Sequence, residues 1–228
     1  MDLLIKLNNQ TAGRDKLIRL FQYGSKAGWY YTPSNYSTRS SIDVLKSLEY
    51  TFSSFRKLLR LGRCLDSLYS ALSTMNYPDV VIRITLTISK ITNALYLLAD
   101  HITWIGRAGV FRVDLEKWNS IGNKYWLLTI IINITRDIYE ILQIIENNNK
   151  LKKKIISKKQ MIHHNIYDIN NHKDVFLDTV KNICDLFIPL NSLGYTKLSP
   201  GMIGLLGFVS SAVGIYCIID PISKLTPA

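Results

Sequence analysis

Two carboxylates one helical turn apart, Asp137 and Glu140, have the spacing best suited to acid–base chemistry, and Arg136 stands beside them. Such a trio more commonly forms a satisfied ion-pair face on a helix. Residues 23–28 contain glycine and lysine but lack the spacing and the preceding strand of a phosphate-binding loop. The sequence has no nucleophile elbow, zinc-binding helix or paired-cysteine motif. We therefore predict that the chain is not an enzyme and holds no metal and no cofactor.

The most pronounced chemical pattern lies in residues 53–75, where apolar and cationic side chains fall on different sides of a helical wheel. Such a helix lies in the headgroup plane and expands the leaflet it enters, which favours curvature. The wheel leaves open the alternative that the apolar side packs in a helical bundle. Membrane insertion is predicted for Phe55, Leu58, Leu59, Leu65, Leu68, Leu72 and Met75. Contact with anionic lipid is predicted for Arg56, Lys57, Arg60 and Arg63.

The apolar region of residues 80–105 is interrupted by charged side chains, which are costly at membrane depth unless they face protein or water. They recur at helical spacing, which favours a packed or pore-lining helix over a lone helix in lipid. Residues 81–89 also alternate as a strand does, but the length of the region favours a helix, with Asp79 as its N-cap. The candidate pore-lining residues are Arg83, Lys90, Asn93 and Asp100.

Residues 201–219 contain no charged side chain and form the predicted transmembrane helix. At about 1.5 Å per residue, a helix of this length nearly crosses a hydrocarbon core of about 30 Å. Small residues four apart allow another helix to approach closely in lipid. Those predicted to pack in this way are Gly207, Ser210, Ser211 and Gly214. A buried helix of a soluble fold is the alternative.

Composition agrees with a helical membrane-associated protein. The 228 residues include 28 Lys and Arg against 17 Asp and Glu, a net charge of +11, and 47% are hydrophobic, which excludes a disordered chain. Three widely spaced cysteines argue against a disulfide framework and for a reducing compartment. We predict an all-α, membrane-associated helical bundle with amphipathic helices and a C-terminal transmembrane helix. Its regions are a helical membrane-remodelling part (1–146), a linker (147–173) and a C-terminal membrane anchor (174–228).

The predicted linker, residues 147–173, is rich in Lys and Asn. Such a block of like charge repels itself and is typical of a solvated segment. Attraction to an anionic membrane surface is the alternative, and nucleic acid is disfavoured as a partner because no aromatic residues or binding module accompany the lysines. The histidines at 163, 164 and 172 have no cysteine or carboxylate at ligand spacing.

Several short motifs occur along the chain in a specific order. They are Arg19-Leu-Phe-Gln-Tyr-Gly24, Arg56-Lys-Leu-Leu-Arg-Leu-Gly62, Leu95-Tyr, Asp100, Trp104-Ile-Gly-Arg107, Lys117-Trp118, Arg136-Asp-Ile-Tyr-Glu140, Cys184-Asp-Leu-Phe-Ile-Pro-Leu190, Leu193-Gly194 and Ser199-Pro-Gly201. In this combination the chain resembles the peroxisomal membrane protein 11 (peroxin-11) family over nearly its whole length, except residues 32–50 and the linker.

The resemblance implies residence in the peroxisomal membrane with both termini in the cytosol, and hence an even number of spans. The partner of the 201–219 helix would then be residues 80–105 or the region around Tyr125. The resemblance also implies that the helix containing residues 56–62 inserts into the cytosolic leaflet and promotes peroxisome elongation, division and proliferation. A channel for small metabolites is the alternative function.

The resemblance further implies a set of partners. They are other copies of the chain, a dynamin-related fission GTPase with its tail-anchored adaptors, and the import receptor for peroxisomal membrane proteins. Anionic membrane lipids complete the set.

Overall fold

The computed structural model describes residues 7–34, 38–154, 173–220 and 225. Within these ranges the chain forms seven helices of 12 or more residues and no strand, so the all-α prediction is confirmed. They are α1 (Thr11–Tyr31), α2 (Arg39–Leu59), α3 (Arg63–Thr74), α4 (Val80–Arg107), α5 (Leu115–Lys154), α6 (Lys173–Ser192) and α7 (Pro200–Ile219).

Six of the helices form a closed ring. Helix α1 packs on both α2 and α7. Helix α2 also packs on α4, and α4 packs on α5. Helix α6 packs on both α5 and α7, which closes the ring. Helix α3 stands outside this ring and packs on α4. Among the described helices, α4 and α7 are long and apolar enough to cross a membrane. The predicted C-terminal candidate span is thus present as α7.

Glycines bring α1 and α7 into close antiparallel contact. A Cβ at Gly204 would lie 2.6 Å from the backbone nitrogen of Ala27, and one at Gly207 would lie 2.4 Å from the Tyr23 ring. Further along, Gly214 faces the side chain of Lys16. Residue numbers rise along α7 as they fall along α1. The start of α1 and the end of α7 therefore lie at the same end of the bundle.

The prediction of one continuous helix over residues 53–75 is wrong. Helix α2 ends at Leu59, and α3 begins only at Arg63. Between them Gly62 has a φ of +81°, in the left-handed region that a residue without Cβ adopts at least cost. This turn changes the direction of the chain, so a single helical wheel does not describe residues on both sides of it.

Other boundaries agree with the sequence more closely. The Asp79 carboxylate accepts hydrogen bonds from the backbone N–H groups of Val81 (2.8 Å) and Ile82 (3.1 Å), which confirms it as the N-cap of α4. Helix α5 continues to Lys154 and thus includes the first eight residues of the predicted linker region. The rest of that region, residues 155–172 with their three histidines, lies outside the described residues.

Many charged side chains of this chain are buried and many large apolar ones are exposed, the reverse of the distribution in a soluble protein. Large apolar side chains are exposed on the outer faces of the helices, as at Ile88 on α4 and Leu205 on α7. Charged side chains such as Arg19, Asp100 and Asp185 are buried within the ring. Exposed apolar side chains on this scale indicate a surface that meets lipid or another protein.

Candidate functional site

An apolar surface runs along the outside of α3 and the end of α2. On α3 only the small side chains of Ser67, Ala71 and Thr74 are buried. The Ser67 hydroxyl donates to the backbone oxygen of Lys90 (2.8 Å), and the hydroxyls of Thr74 and Thr87 lie 2.9 Å apart. Because these small residues let α3 approach α4 closely, the leucines on its other side are left outside the bundle.

Six of the seven side chains predicted to insert into a membrane form this outer apolar face. The largest exposed fractions are 68% at Leu65 and 62% at Leu72. The members are Phe55, Leu58, Leu65, Leu68, Leu72 and Met75. Leu59, the seventh, is half-buried. The six exposed side chains therefore do not pack within the described bundle, which favours the membrane interpretation over packing in the bundle.

The cations predicted to contact anionic lipid are oriented differently. Arg56, Lys57 and Arg60 are buried in the ring, and Arg63 is half-buried beside them. For Arg56, Lys57 and Arg60 the assignment to the lipid-facing flank is corrected, because the buried carboxylates of Asp15 on α1 and Asp100 on α4 pair with them inside the ring.

These pairs form an inner charged network, defined as Asp15, Arg19, Arg56, Lys57, Arg60, Asp100 and Asp185. Arg56 Nε lies 3.1 Å from Asp15 Oδ1, and Arg60 Nη1 lies 2.8 Å from Asp100 Oδ2. Lys57 also pairs with Asp100, and Arg19 binds Asp185 through both terminal nitrogens. Although burial would raise the pKa of Asp15, Arg56 and Arg60 hold it below its usual value.

Three stacked side chains in the interior are here called the partition: Arg60, Tyr96 and Trp126. Arg60 Nη1 donates to the Tyr96 hydroxyl (2.6 Å), and the Tyr96 ring stacks on Trp126 with centroids 5.7 Å apart. The guanidinium carbon of Arg19 lies 5.9 Å from the centre of the Trp126 ring. The partition therefore joins α1, α2, α4 and α5 through polar and cation–π contacts.

Two polar cavities lie on either side of this partition and share Arg56, Arg60, Tyr96 and Trp126. The first, of about 180 Å³, is here called the amide-lined cavity, because Gln22, Asn119 and Asn123 line it. The second, of about 190 Å³, is called the cationic cavity. Its remaining charged side chains are Asp15, Lys16, Arg19, Arg63 and Asp185.

The four candidate pore-lining residues on α4 do not share one surface. Asn93 lines the cationic cavity and donates to the Ser67 hydroxyl (3.1 Å), whereas Asp100 lines the amide-lined cavity. Arg83 and Lys90 are half-buried and line neither. The predicted stripe is therefore divided between two cavities and the outer part of α4.

The small residues of α7 that are predicted to allow close helix packing lie at its contacts with α1 and α6. Gly207 and Gly214 face α1, and Ser210 and Ser211 are fully buried. The Ser211 hydroxyl donates to the backbone oxygen of Gly207 (2.6 Å). These small residues therefore bring helices of one chain together.

Asp137 and Glu140 belong to a second buried polar cluster, between α5 and α6. Asn182 donates to Asp137 (2.7 Å), and Arg136 Nη2 lies 2.6 Å from Asp178 Oδ2. Burial raises the pKa of Glu140 to about 7, despite Arg136 3.6 Å away. This is the ion-pair face that the spacing favoured, extended by partners on a distant helix.

Sequence reasoning missed several residues of the interior. Asp15, Arg19 and Asp185 are the charged partners, and Tyr96 and Trp126 are the aromatic ones. The available signal was the single charge of Asp185 within an otherwise apolar helical stretch, which indicates a buried partner. That signal does not identify the partner, because it lies on another helix.

Comparisons with known proteins identify the family of the chain. The family model Peroxisomal biogenesis factor 11 (PEX11) matches residues 1–219. The chain is 31% identical to Peroxisomal membrane protein 11B of Bos taurus over 258 residues, with both chains fully covered. It is 31% identical to Peroxisomal membrane protein 11A of Bos taurus, with 99% of each chain covered, and 27% identical to the Peroxisomal membrane protein 11 homolog of Dictyostelium discoideum, with 95% and 93% covered.

No solved structure matches the chain. The model match extends over almost the whole chain, and the full-length relatives are peroxisomal membrane proteins. The chain therefore belongs to the PEX11 family of peroxisomal membrane proteins, which are peroxisome biogenesis factors and are not known as enzymes.

Proposed function

We propose that this protein promotes peroxisome elongation, and through it division and proliferation, by inserting the outer apolar face into the cytosolic leaflet. One observation carries the proposal: the leucines of α3 are exposed, while its small residues pack on α4. A wedge in one leaflet expands that leaflet, so many copies favour a curved, elongated membrane. The protein acts physically in this proposal and catalyses no reaction.

The free energy of insertion comes mainly from the apolar side chains. Burying one large apolar side chain fully stabilises by about 1.5–3 kcal/mol. Halving that value for shallow insertion, the six exposed members of the face contribute roughly 5–9 kcal/mol in total. Arg56, Lys57 and Arg60 add little attraction to lipid in this conformation, since they are paired inside the ring.

The antiparallel contact of α1 and α7 supports a topology with both termini in the cytosol. The start of α1 and the end of α7 lie at one end of the bundle, which is compatible with an even number of membrane crossings. Helices α4 and α7 are the described candidates for those crossings. The same proposal includes self-association of the chain. It also includes binding to a dynamin-related GTPase with its adaptors and to the import receptor for peroxisomal membrane proteins.

The test is to express the full chain with Leu65→Glu and Leu72→Glu and to measure peroxisome length by fluorescence microscopy. We expect the variant to reach peroxisomes but to lose elongation, since two carboxylates oppose insertion of the face. A matched control is Ser73→Glu plus Asn76→Glu, which adds the same charge at exposed polar positions. Elongation by the leucine variant equal to that of the control, at equal abundance, contradicts the proposal.

The interior supports a second candidate function, a channel for small metabolites. The observation in its favour is the pair of polar cavities separated by the partition of Arg60, Tyr96 and Trp126. In a planar bilayer, Tyr96→Ala is expected to raise the conductance of the protein, because it shortens the partition. Arg83→Ala is the control, since Arg83 lines neither cavity. Absence of conductance in both the native chain and the Tyr96 variant contradicts this function.

A further inference from the structure

The two cavities contain more positive than negative side chains. Six cations line them, Lys16, Arg19, Arg56, Lys57, Arg60 and Arg63, against three carboxylates, Asp15, Asp100 and Asp185. With Lys16 protonated, six minus three leaves a surplus of three positive charges within the part of the chain that the structure describes. Such a surplus in half-open cavities between the helices is stabilised by an anion, because the cations otherwise repel one another.

The surplus is concentrated in the cationic cavity. In the described ranges, neither Lys16 nor Arg63 forms an ion pair with a carboxylate, although both line this cavity. The third group is Arg19, whose Nε is buried and has no hydrogen-bond partner among the described residues, while its terminal nitrogens bind Asp185. A buried cationic N–H without an acceptor is costly, and an anion in the cavity supplies acceptors.

The dimensions and chemistry of the cavity define the class of anion. Its volume of about 190 Å³ equals roughly six water molecules, which is enough for one phosphate group and a few waters but less than a drug-sized ligand needs. Guanidinium groups bind phosphate oxygens through two parallel hydrogen bonds, and ammonium groups bind them as point charges. A surplus of three charges favours a doubly charged phosphate over a singly charged carboxylate.

We propose that the cationic cavity binds a phosphate group through Lys16, Arg19 and Arg63. The group belongs to a soluble phosphate ester or to a lipid headgroup, since both present the same oxygens. Burial of Lys16 against the bundle lowers its pKa to about 7, and a bound phosphate raises it again by favouring the charged form. The inference is independent of both proposed functions, because binding requires neither curvature nor passage across a membrane.

The experiment uses the full chain in phosphatidylcholine nanodiscs and measures the thermal unfolding midpoint. One arm adds inorganic phosphate or glycerol 3-phosphate, with chloride at matched ionic strength as its reference. The other arm replaces part of the lipid with phosphatidic acid and adds no free phosphate. A saturable rise of the midpoint is expected in at least one arm, because a ligand that binds only the folded state stabilises it. A rise in the first arm assigns a soluble ester, and a rise in the second alone assigns a headgroup.

The variant that tests the residues is Lys16→Gln plus Arg63→Gln. These changes remove repulsion and break no ion pair between described residues, so the chain is expected to fold. Apparent affinity for phosphate should fall about a hundredfold, because each of the two lost charge-assisted hydrogen bonds contributes about tenfold. Arg14→Gln plus Arg112→Gln removes the same charge at exposed positions and should leave the affinity unchanged. An equal rise with chloride, no rise in either arm, or equal affinity in the two double variants overturns the proposal.

Discussion

The two parts of the amphipathic stretch, before and after Gly62, lie in opposite environments. Before it, Arg56, Lys57 and Arg60 point into the ring and pair with buried carboxylates. After it, Leu65 and Leu72 point outward and contact no core. In a soluble protein the cations would face water and the leucines would be buried. In this chain the polar side of the amphipathic segment packs inside the ring and stabilises it, and the apolar side stays outside.

This comparison separates stability from the proposed function. The inner charged network, together with the contact of α1 with α7, holds the helices in place, whereas the outer apolar face is available for lipid. We therefore expect changes inside the ring to lower the free energy of unfolding strongly. Changes on the outer face should leave that free energy nearly unaltered and alter membrane remodelling instead.

The largest effect is expected for Asp100→Asn. It leaves Lys57 and Arg60 buried with one fewer negative partner, and breaking a buried ion pair in this way costs about 3–5 kcal/mol. The free energy of unfolding in detergent measures the loss. The exposed carboxylate of α2, Asp43, provides the control, since Asp43→Asn should change stability by about 0.5 kcal/mol or less. If the two variants lose similar free energy of unfolding, the proposed difference between the buried network and the exposed surface is wrong.

A smaller effect is expected where α1 and α7 touch. Gly204→Ala places a Cβ 2.6 Å from the backbone nitrogen of Ala27, so the two helices must separate, at a cost of about 1–3 kcal/mol. Gly24→Ala is the matched change on α1, because its Cβ would meet Phe208 at an ordinary 3.6 Å. That variant should gain up to about 1 kcal/mol from the better helix propensity of alanine. Unfolding measurements that give the two changes the same sign would contradict this packing.

The next effect depends on pH and concerns Glu140. Its pKa is about 7 in the folded chain against 4.5 ordinarily, so the folded state binds more protons between these values. The free energy of unfolding should therefore fall as the pH rises from about 5 to about 8, by roughly 1–2 kcal/mol. Its charged neighbours are Arg136, Asp137, Asp174 and Asp178, of which only Arg136 opposes the shift.

The control for this dependence is Glu140→Gln, measured by thermal unfolding over the same pH range. Glutamine does not titrate, so the fall in stability should be much smaller in the variant. An equal fall in both chains would assign the dependence to other groups.

The smallest effect on stability is expected for Leu65→Glu plus Leu72→Glu. Both side chains are already exposed, so each change should alter the free energy of unfolding by about 0.5 kcal/mol or less in detergent. The same variant is expected to lose peroxisome elongation. A loss of several kcal/mol would instead indicate that these leucines pack within the protein, and the separation of the two surfaces would fail.

Local sequence patterns predicted much of the fold. The predicted helices over residues 80–105 and 201–219 correspond to α4 and α7, because long apolar patterns dominate local preference. The Asp79 cap was predictable because it needs only neighbouring residues. The break at Gly62 was not, since a single glycine within a helical pattern is tolerated at a cost of about 1 kcal/mol.

A helical wheel could not predict that the cations point into the ring. A wheel describes one helix, whereas Arg56 pairs with a carboxylate 41 residues away and Lys57 with one 43 residues away. Which side of a helix is buried depends on such distant partners. The apolar side chains of α3 were placed correctly on one surface, because the spacing of Leu65, Leu68 and Leu72 is a local property.

The antiparallel contact of α1 with α7 has a consequence for joining two copies. The end of α7 in one copy and the start of α1 in the next lie on the same side of the bundle. A short flexible linker between them therefore needs no additional membrane crossing to produce a covalent tandem. Such a tandem fixes the stoichiometry at two, which allows variants to be combined within a defined pair.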